Sequence, residues 1–259
     1  MTITEKSCPN FPPCKSIAMD PLFKVEVLSH TPNPQQVIYA AMHQDYAEGF
    51  VWDDRNALPD EAKAGDLVIR NLLGGNRGHF GPLEHPQIVL NCGWFPHSTM
   101  QQIRTHRVGI SFDVQSFRYT GNKIVEVADG AKSVEEVFYM RPLGFYTDRN
   151  GKKYEYTETI RQEDLAWCLE GAKIYARRIA QGFSEEHARS LIPFDVRQHW
   201  VMSANVRSLM HLMDLRAKDD AQLECQHLCE LIFPHFEAWV PSVAAWYQKN
   251  RWGKARLSP

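Results

Sequence analysis

Residues 87–95 (QIVLNCGWF) restrict the fold more than any other segment, because they form a nearly unbroken apolar run. A short apolar run between polar segments is typical of a strand that is buried in a sheet. A further strand is predicted over residues 23–29, where apolar and polar residues alternate.

Helical spacing of apolar residues predicts helices on both sides of residues 87–95. Residues 33–46 follow a proline and indicate one helix, and residues 61–73 indicate another that stops at a Gly-Gly pair. A third helix is expected from about Ser98 to Gly109, because glycine tolerates the left-handed conformation that closes helices.

The second half of the chain is predicted to be mostly helical from Gln162 onward. Residues 205–215 and 221–232 give the clearest helical patterns. Breaks are expected at Pro193 and Pro234, since proline cannot donate the backbone hydrogen bond of a helix interior.

Two segments are interpreted as additions to a body of residues 23–259, which we expect to form one domain. Residues 1–22 contain several prolines without an apolar period, and we expect an irregular N-terminal arm. Residues 145–156 (FYTDRNGKKYEY) place Asn150 and Gly151 between aromatic runs, which is the strongest short hairpin signal. An inserted hairpin is therefore predicted there.

Composition excludes several classes of protein. The chain has 259 residues and a formal net charge of −2, so overall electrostatics do not favour a nucleic-acid or anionic-membrane surface. No stretch approaches the roughly 18 apolar residues needed to cross a bilayer, and no targeting segment is recognised. The six cysteines form no CxxC pair, which favours a reducing compartment. We expect a cytoplasmic protein.

Cationic residues are concentrated in residues 101–123 (QQIRTHRVGISFDVQSFRYTGNK). Guanidinium groups with neighbouring hydroxyl and amide donors suit a phosphate, so a nucleotide monophosphate is predicted to bind here. Two alternatives remain open: a solvated basic face, or an RNA-binding module that stacks bases on Phe112, Phe117 and Tyr119.

The order of residues in this segment resembles a known family. His106-Arg107, followed by Ser111, Ser116, Arg118 and Tyr119, is similar to the signature of the flavin-dependent thymidylate synthases (ThyX). Segments 78–85 (GHFGPLEH), 187–193 (HARSLIP) and 205–224 (NVRSLMHLMDLRAKDDAQLE) resemble further motifs of that family, in the same order. The resemblance spans about residues 75–230.

This resemblance implies an α+β fold of the ThyX type, with a central, mostly antiparallel sheet flanked by helices. It also implies a homotetramer with shared active sites. The implied reaction methylates dUMP to dTMP, with FAD as cofactor, 5,10-methylenetetrahydrofolate as carbon donor and NADPH as reductant. Flavin mediates the transfer in the family and no cysteine nucleophile is needed. The chain has no GxGxxG segment, which argues against a doubly wound dinucleotide domain.

The resemblance also assigns residues to dUMP. Arg216 matches the family arginine that polarises the uracil ring, and is the catalytic candidate. Arg189 is expected to act from a neighbouring subunit. The complete predicted dUMP set is Gln102, Arg104, Gln115, Ser116, Phe117, Arg118, Arg189 and Arg216. As structural alternatives, Arg118 would pair with Asp113, and Arg216 would satisfy helix-end carbonyls or bridge Asp214 or Asp219.

A second set is assigned to FAD by the same resemblance. It comprises His79, Thr105, His106, Arg107, Asp113, Asn205, Arg207 and His211. For His211 a purely structural role remains equally open. Histidines in the chain also raise the question of zinc, but they lack tight ligand spacing, and we predict no metal site.

One departure from the family affects the site. The family carries Arg-His-Arg, whereas this chain has Arg104-Thr105-His106-Arg107 and one extra residue before Ser116. Either Arg104 replaces the first family arginine, or Thr105 occupies its position and the contact is lost. Asp113 likewise lies one place before the position where the family tends to have an acid. A flavoprotein without synthase activity is therefore a further alternative.

Overall fold

The computed structural model describes residues 17–76, 78–147 and 150–254. Most of the arm predicted over residues 1–22, with Cys8 and Cys14, lies outside the described residues. Residues 17–22 contain no helix or strand, and Asp20 pairs with Arg197 at 2.6 Å. Both side chains are almost fully buried, so removing either one would leave an uncompensated charge inside the protein.

The strands of the described residues form two sheets. They are β1 (Lys24–His30), β2 (Gln87–Pro96), β3 (Ile110–Val114), β4 (Gly144–Thr147), β5 (Lys153–Tyr156) and β6 (Arg197–Asn205). The larger sheet has the order β1-β2-β6-β3, and β4 and β5 form a hairpin. All neighbouring strands are antiparallel. The expected α+β fold with an antiparallel central sheet is confirmed.

Helices make up most of the remaining described chain. They are α1 (Pro34–Gln44), α2 (Glu61–Val68), α3 (His97–Ile103), α4 (Phe117–Thr120), α5 (Asn122–Ala128), α6 (Val134–Val137), α7 (Glu158–Ala180), α8 (Glu185–Ala188), α9 (Val206–Arg216), α10 (Leu223–Trp239) and α11 (Pro241–Asn250). The helices predicted over residues 33–46 and 61–73 are confirmed, the second continuing beyond α2 as a π-helical turn, Ile69–Leu73.

The main hydrophobic core lies between the large sheet and helices α9 to α11. Leu90 of β2, Met202 of β6 and Leu209 of α9 are all 0–1% exposed and belong to one packed cluster. Burying such side chains is worth about 1.5–3 kcal/mol each. A second cluster joins α5 to α7 through Ile124 and Tyr175. Ile103 of α3 belongs to the main core, which therefore joins α3 to α9.

The prediction of a mostly helical second half was wrong for residues 197–205, which form β6 (RQHWVMSAN), a central strand of the sheet. Trp200, Met202 and Ala204 alternate as buried residues with period two. Arg197 and Gln198 are buried as well, and these polar residues hide the apolar alternation by which a strand is recognised.

The predicted break at Pro234 was also wrong, because Pro234 lies inside α10. Proline removes one backbone hydrogen bond of the helix. Ile232 and Phe236, on either side of it, are 0% exposed in the main core. Their packing maintains the helix through the missing bond.

The helix expected to reach Gly109 ends at Ile103, because the chain turns where Thr105 Oγ1 donates to the Gln102 carbonyl at 2.7 Å. Gly109 does have a left-handed backbone, with φ +66°, but it leads into β3. A Cβ atom there would lie 2.2 Å from Ser208 Oγ. Glycine is therefore needed for close packing against the start of α9.

Candidate functional site

Arg216, the last residue of α9, lies against the end of α3. Its Nε donates to His106 Nε2 at 3.0 Å, and its two terminal nitrogens lie 3.5 and 3.4 Å from the Gln102 side-chain and main-chain oxygens. Distances of that length make weak hydrogen bonds. The guanidinium is therefore oriented by one good bond, while its fork keeps donor capacity for a ligand.

The predicted alternative partner Asp214 is engaged elsewhere. Asp214 accepts from Arg251 Nη2 at 2.7 Å and from Tyr247 at 3.0 Å in the core. The alternative that Arg216 bridges Asp214 is therefore wrong. A helix-end contact with a carbonyl does exist, to Gln102, but only at 3.4 Å.

His106 is buried beside Arg216 and His211. Burial first, and then the charges of Arg216 and His211, lowers its pKa from 6.5 to about 4. The ring is neutral at physiological pH, and its Nε2 accepts from Arg216, which assigns the proton to Nδ1. The rings of His106 and His211 pack edge to face, with their centroids 5.4 Å apart. The structure thus brings His106 to Arg216 and His211 to His106.

Gln102 connects this group to α10 through residues that the sequence analysis did not single out. The Gln222 side-chain oxygen accepts from Gln102 Nε2, and its Nε2 donates to Glu224 at 2.7 Å. Glu224 is 3% exposed and also accepts from Tyr139 at 3.0 Å. Gln222 and Glu224 fall inside the 205–224 segment, but nothing in sequence spacing links them to partners 120 and 85 positions away.

A cleft of about 1270 Å³ extends from Gln102 and Arg216 to the β4–β5 hairpin. It is large enough for a nucleotide-sized ligand.

Cys225, next to Gln102, has its thiol pKa raised to about 12, mainly by burial. A buried thiol of this kind does not provide a thiolate nucleophile at neutral pH.

A second group of predicted dUMP residues lies where β3 leads into α4. Gln115 is anchored by three contacts: its N donates to the His199 carbonyl at 2.9 Å, and its two oxygens accept from Gln198 and Lys123 at 3.1 Å. Ser116 caps α4 by accepting from the Arg118 backbone N–H at 3.4 Å. The loop 115–118, which includes Phe117, is therefore held in one conformation.

Lys123 holds the loop 115–118 through a hydrogen bond to Gln115. It donates to the Gln115 side chain and, at 2.8 Å, to the Arg197 carbonyl. Burial, with a smaller contribution from Lys132, lowers its pKa to about 8. In the sequence, Lys123 is recognisable only as one of the cations of residues 101–123, because a basic residue in a polar segment gives no sign that it is buried.

Arg118 pairs with Glu186 of α8 at 2.8 Å. The alternative that it pairs with Asp113 is therefore wrong. Arg189 lies just beyond α8 and close enough for its charge to lower the pKa of Glu186, although Arg118 has the larger effect. Arg118 and Arg189, both predicted phosphate ligands, are thus near each other within a single chain.

The predicted FAD residues occupy the start and the middle of α9 and segments that precede it in the chain. Asn205 caps α9 by accepting from Ser208 at 2.7 Å, which is a structural role. Arg207 bonds Glu84 at 2.5 Å, and so ties α9 to the segment 78–85. His79 in that segment pairs with Asp45 at 2.8 Å.

The chemistry of these residues fits a dinucleotide cofactor. Arg107 of the FAD set and Arg104, which is assigned to dUMP, are exposed, and within the described ranges neither guanidinium makes a hydrogen bond or ion pair. A diphosphate requires such donors. Thr105 and Asp113, which lie close to these arginines in sequence, are exposed as well.

No group of three or more metal-ligating side chains occurs among the described residues, and no helix among them is long and apolar enough to span a bilayer.

Comparisons with known proteins agree on one family. Residues 26–242 match the family model described as thymidylate synthase complementing protein. The flavin-dependent thymidylate synthase of Halobacterium salinarum is 30% identical, with 91% of this chain and 100% of that protein aligned. The enzyme of the same name from Haloarcula marismortui is also 30% identical, over 91% of this chain and 99% of that protein.

Solved structures share the fold at lower identity. A UMP/dUMP methylase, PolB, from Streptomyces cacaoi bound with 5-Br dUMP has a TM-score of 0.71 at 20% identity, covering 92% of this chain and 97% of that chain. Helicobacter pylori ThyX with FAD and dUMP has a TM-score of 0.62 at 19% identity, covering 82% and 92%. With the family model matching most of its length, the chain belongs to the flavin-dependent thymidylate synthase family.

Proposed function

We propose that this chain converts dUMP to dTMP, taking a methylene group from 5,10-methylenetetrahydrofolate and two electrons from NADPH, with FAD as cofactor. Tetrahydrofolate and NADP⁺ are the other products. The observation that carries the proposal is the Arg216 guanidinium, held by neutral His106 at 3.0 Å at the edge of the cleft. The family membership of the chain gives this geometry its chemical meaning.

Arg216 acts on the pyrimidine ring of dUMP. Its terminal nitrogens, which make only long contacts to Gln102, turn to a uracil oxygen and stabilise negative charge on it. Charge drawn toward that oxygen makes C5 a better nucleophile. Because His106 is neutral, it orients the guanidinium without compensating its charge. Gln102 completes the contact to the base or sugar.

The phosphate of dUMP binds at the loop 115–118. Arg118 supplies a planar two-point contact, and Ser116, Gln115 and the Phe117 backbone supply further donors. Arg104 and Arg189 complete the charge balance in a homotetramer with shared active sites. Arg189 was expected to come from a neighbouring subunit, but it lies near Arg118 in the same chain, so these two arginines reach the phosphate together. The anchoring of Gln115 supports this assignment, because a fixed loop loses little entropy when the ligand binds.

FAD is held by His79, Thr105, Arg107, Asn205, Arg207 and His211, with His106 and Asp113 adjacent. When bound, the flavin supplies the redox and one-carbon-transfer chemistry. The protein residues bind and orient both ring systems and keep positive charge near the uracil. Of the two alignments of the altered motif, we favour Arg104 replacing the first family arginine, since its guanidinium has no competing partner in the described part of the chain.

The proposal also covers the extent of the catalytic domain and a cytoplasmic location. Residues 23–259 form the catalytic domain with the 145–156 hairpin inserted, and residues 1–22 form an arm. The cysteines among the described residues, Cys92, Cys168, Cys225 and Cys229, are all free thiols. Free thiols support a reducing cytoplasm.

The test follows the flavin absorbance of the purified protein during anaerobic reduction with NADPH, with and without dUMP. We expect flavin bands that bleach faster with dUMP, and dTMP once methylenetetrahydrofolate is added. UMP is the matched control, because the Streptomyces cacaoi relative is a UMP/dUMP methylase. A protein that binds RNA in a salt-dependent way and cannot be reconstituted with FAD contradicts the proposal, as does one that holds FAD but forms no dTMP.

A further inference from the structure

A carboxylate of the chain itself occupies the arginine that is assigned to the phosphate. Glu186 Oε1 accepts from Arg118 Nη1 at 2.8 Å. Both side chains remain partly exposed, at 44% for Arg118 and 55% for Glu186. The pair is therefore accessible to a ligand from solvent, and the partners can separate without leaving a buried charge.

The surroundings of Glu186 are those of an anion site. Arg118 is its first partner, and the charges of Arg189 and His187 also lower the pKa of its carboxyl group. Glu186 is therefore ionised at neutral pH. The helices that carry the pair, α4 and α8, contact each other. A carboxylate and a phosphate present similar planar edges of two oxygens to a guanidinium, so either one can satisfy Arg118.

We propose that Glu186 is an affinity-determining residue that competes with the phosphate group of the nucleotide for Arg118. The phosphate must displace the Glu186 carboxylate before Arg118 can bind it. The displaced carboxylate then lies beside a dianion, which adds repulsion. Glu186 thus weakens nucleotide binding and favours release of the product, which carries the same phosphate.

This inference rests on the proposed function only in identifying the displacing anion as a nucleotide phosphate. The competition itself is a property of Arg118 and Glu186. It follows that a ligand without a phosphate has nothing to gain from displacing Glu186. Deoxyuridine should therefore be insensitive to this residue, whereas dUMP and inorganic phosphate should both be sensitive to it.

The test compares Glu186→Gln with wild type by calorimetric titration of dUMP, deoxyuridine and inorganic phosphate. The matched control is Glu185→Gln, which removes the same charge from the neighbouring residue of α8. We expect Glu186→Gln to tighten dUMP and phosphate binding by about two- to fivefold, the range for an exposed ion pair. Deoxyuridine binding and the control variant should match wild type.

A double variant separates competition from a general charge effect. In an Arg118→Gln background, adding Glu186→Gln should change dUMP affinity by less than it does in the wild type, because the competitor has lost its target. Unchanged or weaker dUMP binding by Glu186→Gln overturns the inference, and so does equal tightening by Glu185→Gln. If wild type binds dUMP no better than inorganic phosphate, the proposed function fails, while the phosphate titration still tests Glu186.

Discussion

Replacing His106 by glutamine tests whether a neutral histidine orients Arg216. Glutamine offers an oxygen acceptor to Arg216 Nε, but it does not titrate. In the folded protein the pKa of His106 is lowered from 6.5 to about 4, chiefly by burial. In the unfolded chain the ring is exposed and takes up a proton near its usual pKa of about 6.5.

The sign of the effect follows from proton binding. Between pH 6.5 and about 4 the unfolded state binds a proton at this residue and the folded state does not. The free energy of unfolding therefore falls as the pH is lowered through this window. The difference between the two pKa values corresponds to a decrease of about 3 kcal/mol in the free energy of unfolding, at about 1.4 kcal/mol per pH unit. Below about pH 4 both states are protonated and this contribution stays constant.

The assay is urea unfolding of wild type and His106→Gln at intervals from about pH 7 to about pH 4. Other groups titrate in both proteins, so the difference between the two curves isolates His106. We expect the variant to lose about 3 kcal/mol less than wild type over this range. His187→Gln, a change at an exposed histidine of α8, is the matched control. Parallel curves for wild type and His106→Gln would refute the neutral-acceptor role.

Three further substitutions test the site and its support. Arg216→Ala should retain flavin but lower release of tritium from C5-labelled dUMP by about 10²–10³-fold, as for loss of one preorganised charge-stabilising donor; full activity contradicts its catalytic role. Arg118→Ala should weaken dUMP binding by about 10–100-fold while FAD content is unchanged, since hydrogen bonds to charged groups are worth about 1.5–3 kcal/mol; loss of FAD with intact dUMP affinity reverses the motif's assignment. Gly109→Ala should destabilise by at least about 1–2 kcal/mol, the usual left-handed penalty, because its Cβ would also meet Ser208 Oγ at 2.2 Å; an unchanged urea midpoint contradicts that packing.

The sequence was sufficient to predict elements whose own residues show an apolar pattern or a helix-start signal. The apolar run in β2 and the proline-led helix α1 belong to this class. It failed for β6, whose buried Arg197 and Gln198 are satisfied by partners elsewhere in the chain. It also failed at Pro234, where tertiary packing outweighs a local helix breaker.

The same division applies to the site. Arg216, His106 and Gln102 were predicted, since they lie in motifs with a recognisable order, and the structure brings them together. Glu186, Gln222, Glu224 and Tyr139 were not singled out. Each acts through a contact with a residue far away in sequence. Spacing along the chain carries no signal for a contact of that kind.

The two arginines of the proposed dUMP site are held in opposite ways, and the difference suits their roles. Arg118 has a charged partner, Glu186, so its charge is balanced until a ligand anion takes the place of that carboxylate. Arg216 has a neutral partner, His106, and its charge stays uncompensated before and after binding. Arg118 recognises an anion that is already present in solution, so a carboxylate partner that the anion can replace suits this role. A group that stabilises charge appearing only during reaction gains from fixed orientation without neutralisation. Exchanging the two partners, with a carboxylate at position 106 and a neutral residue at 186, would therefore strengthen phosphate binding and reduce turnover together.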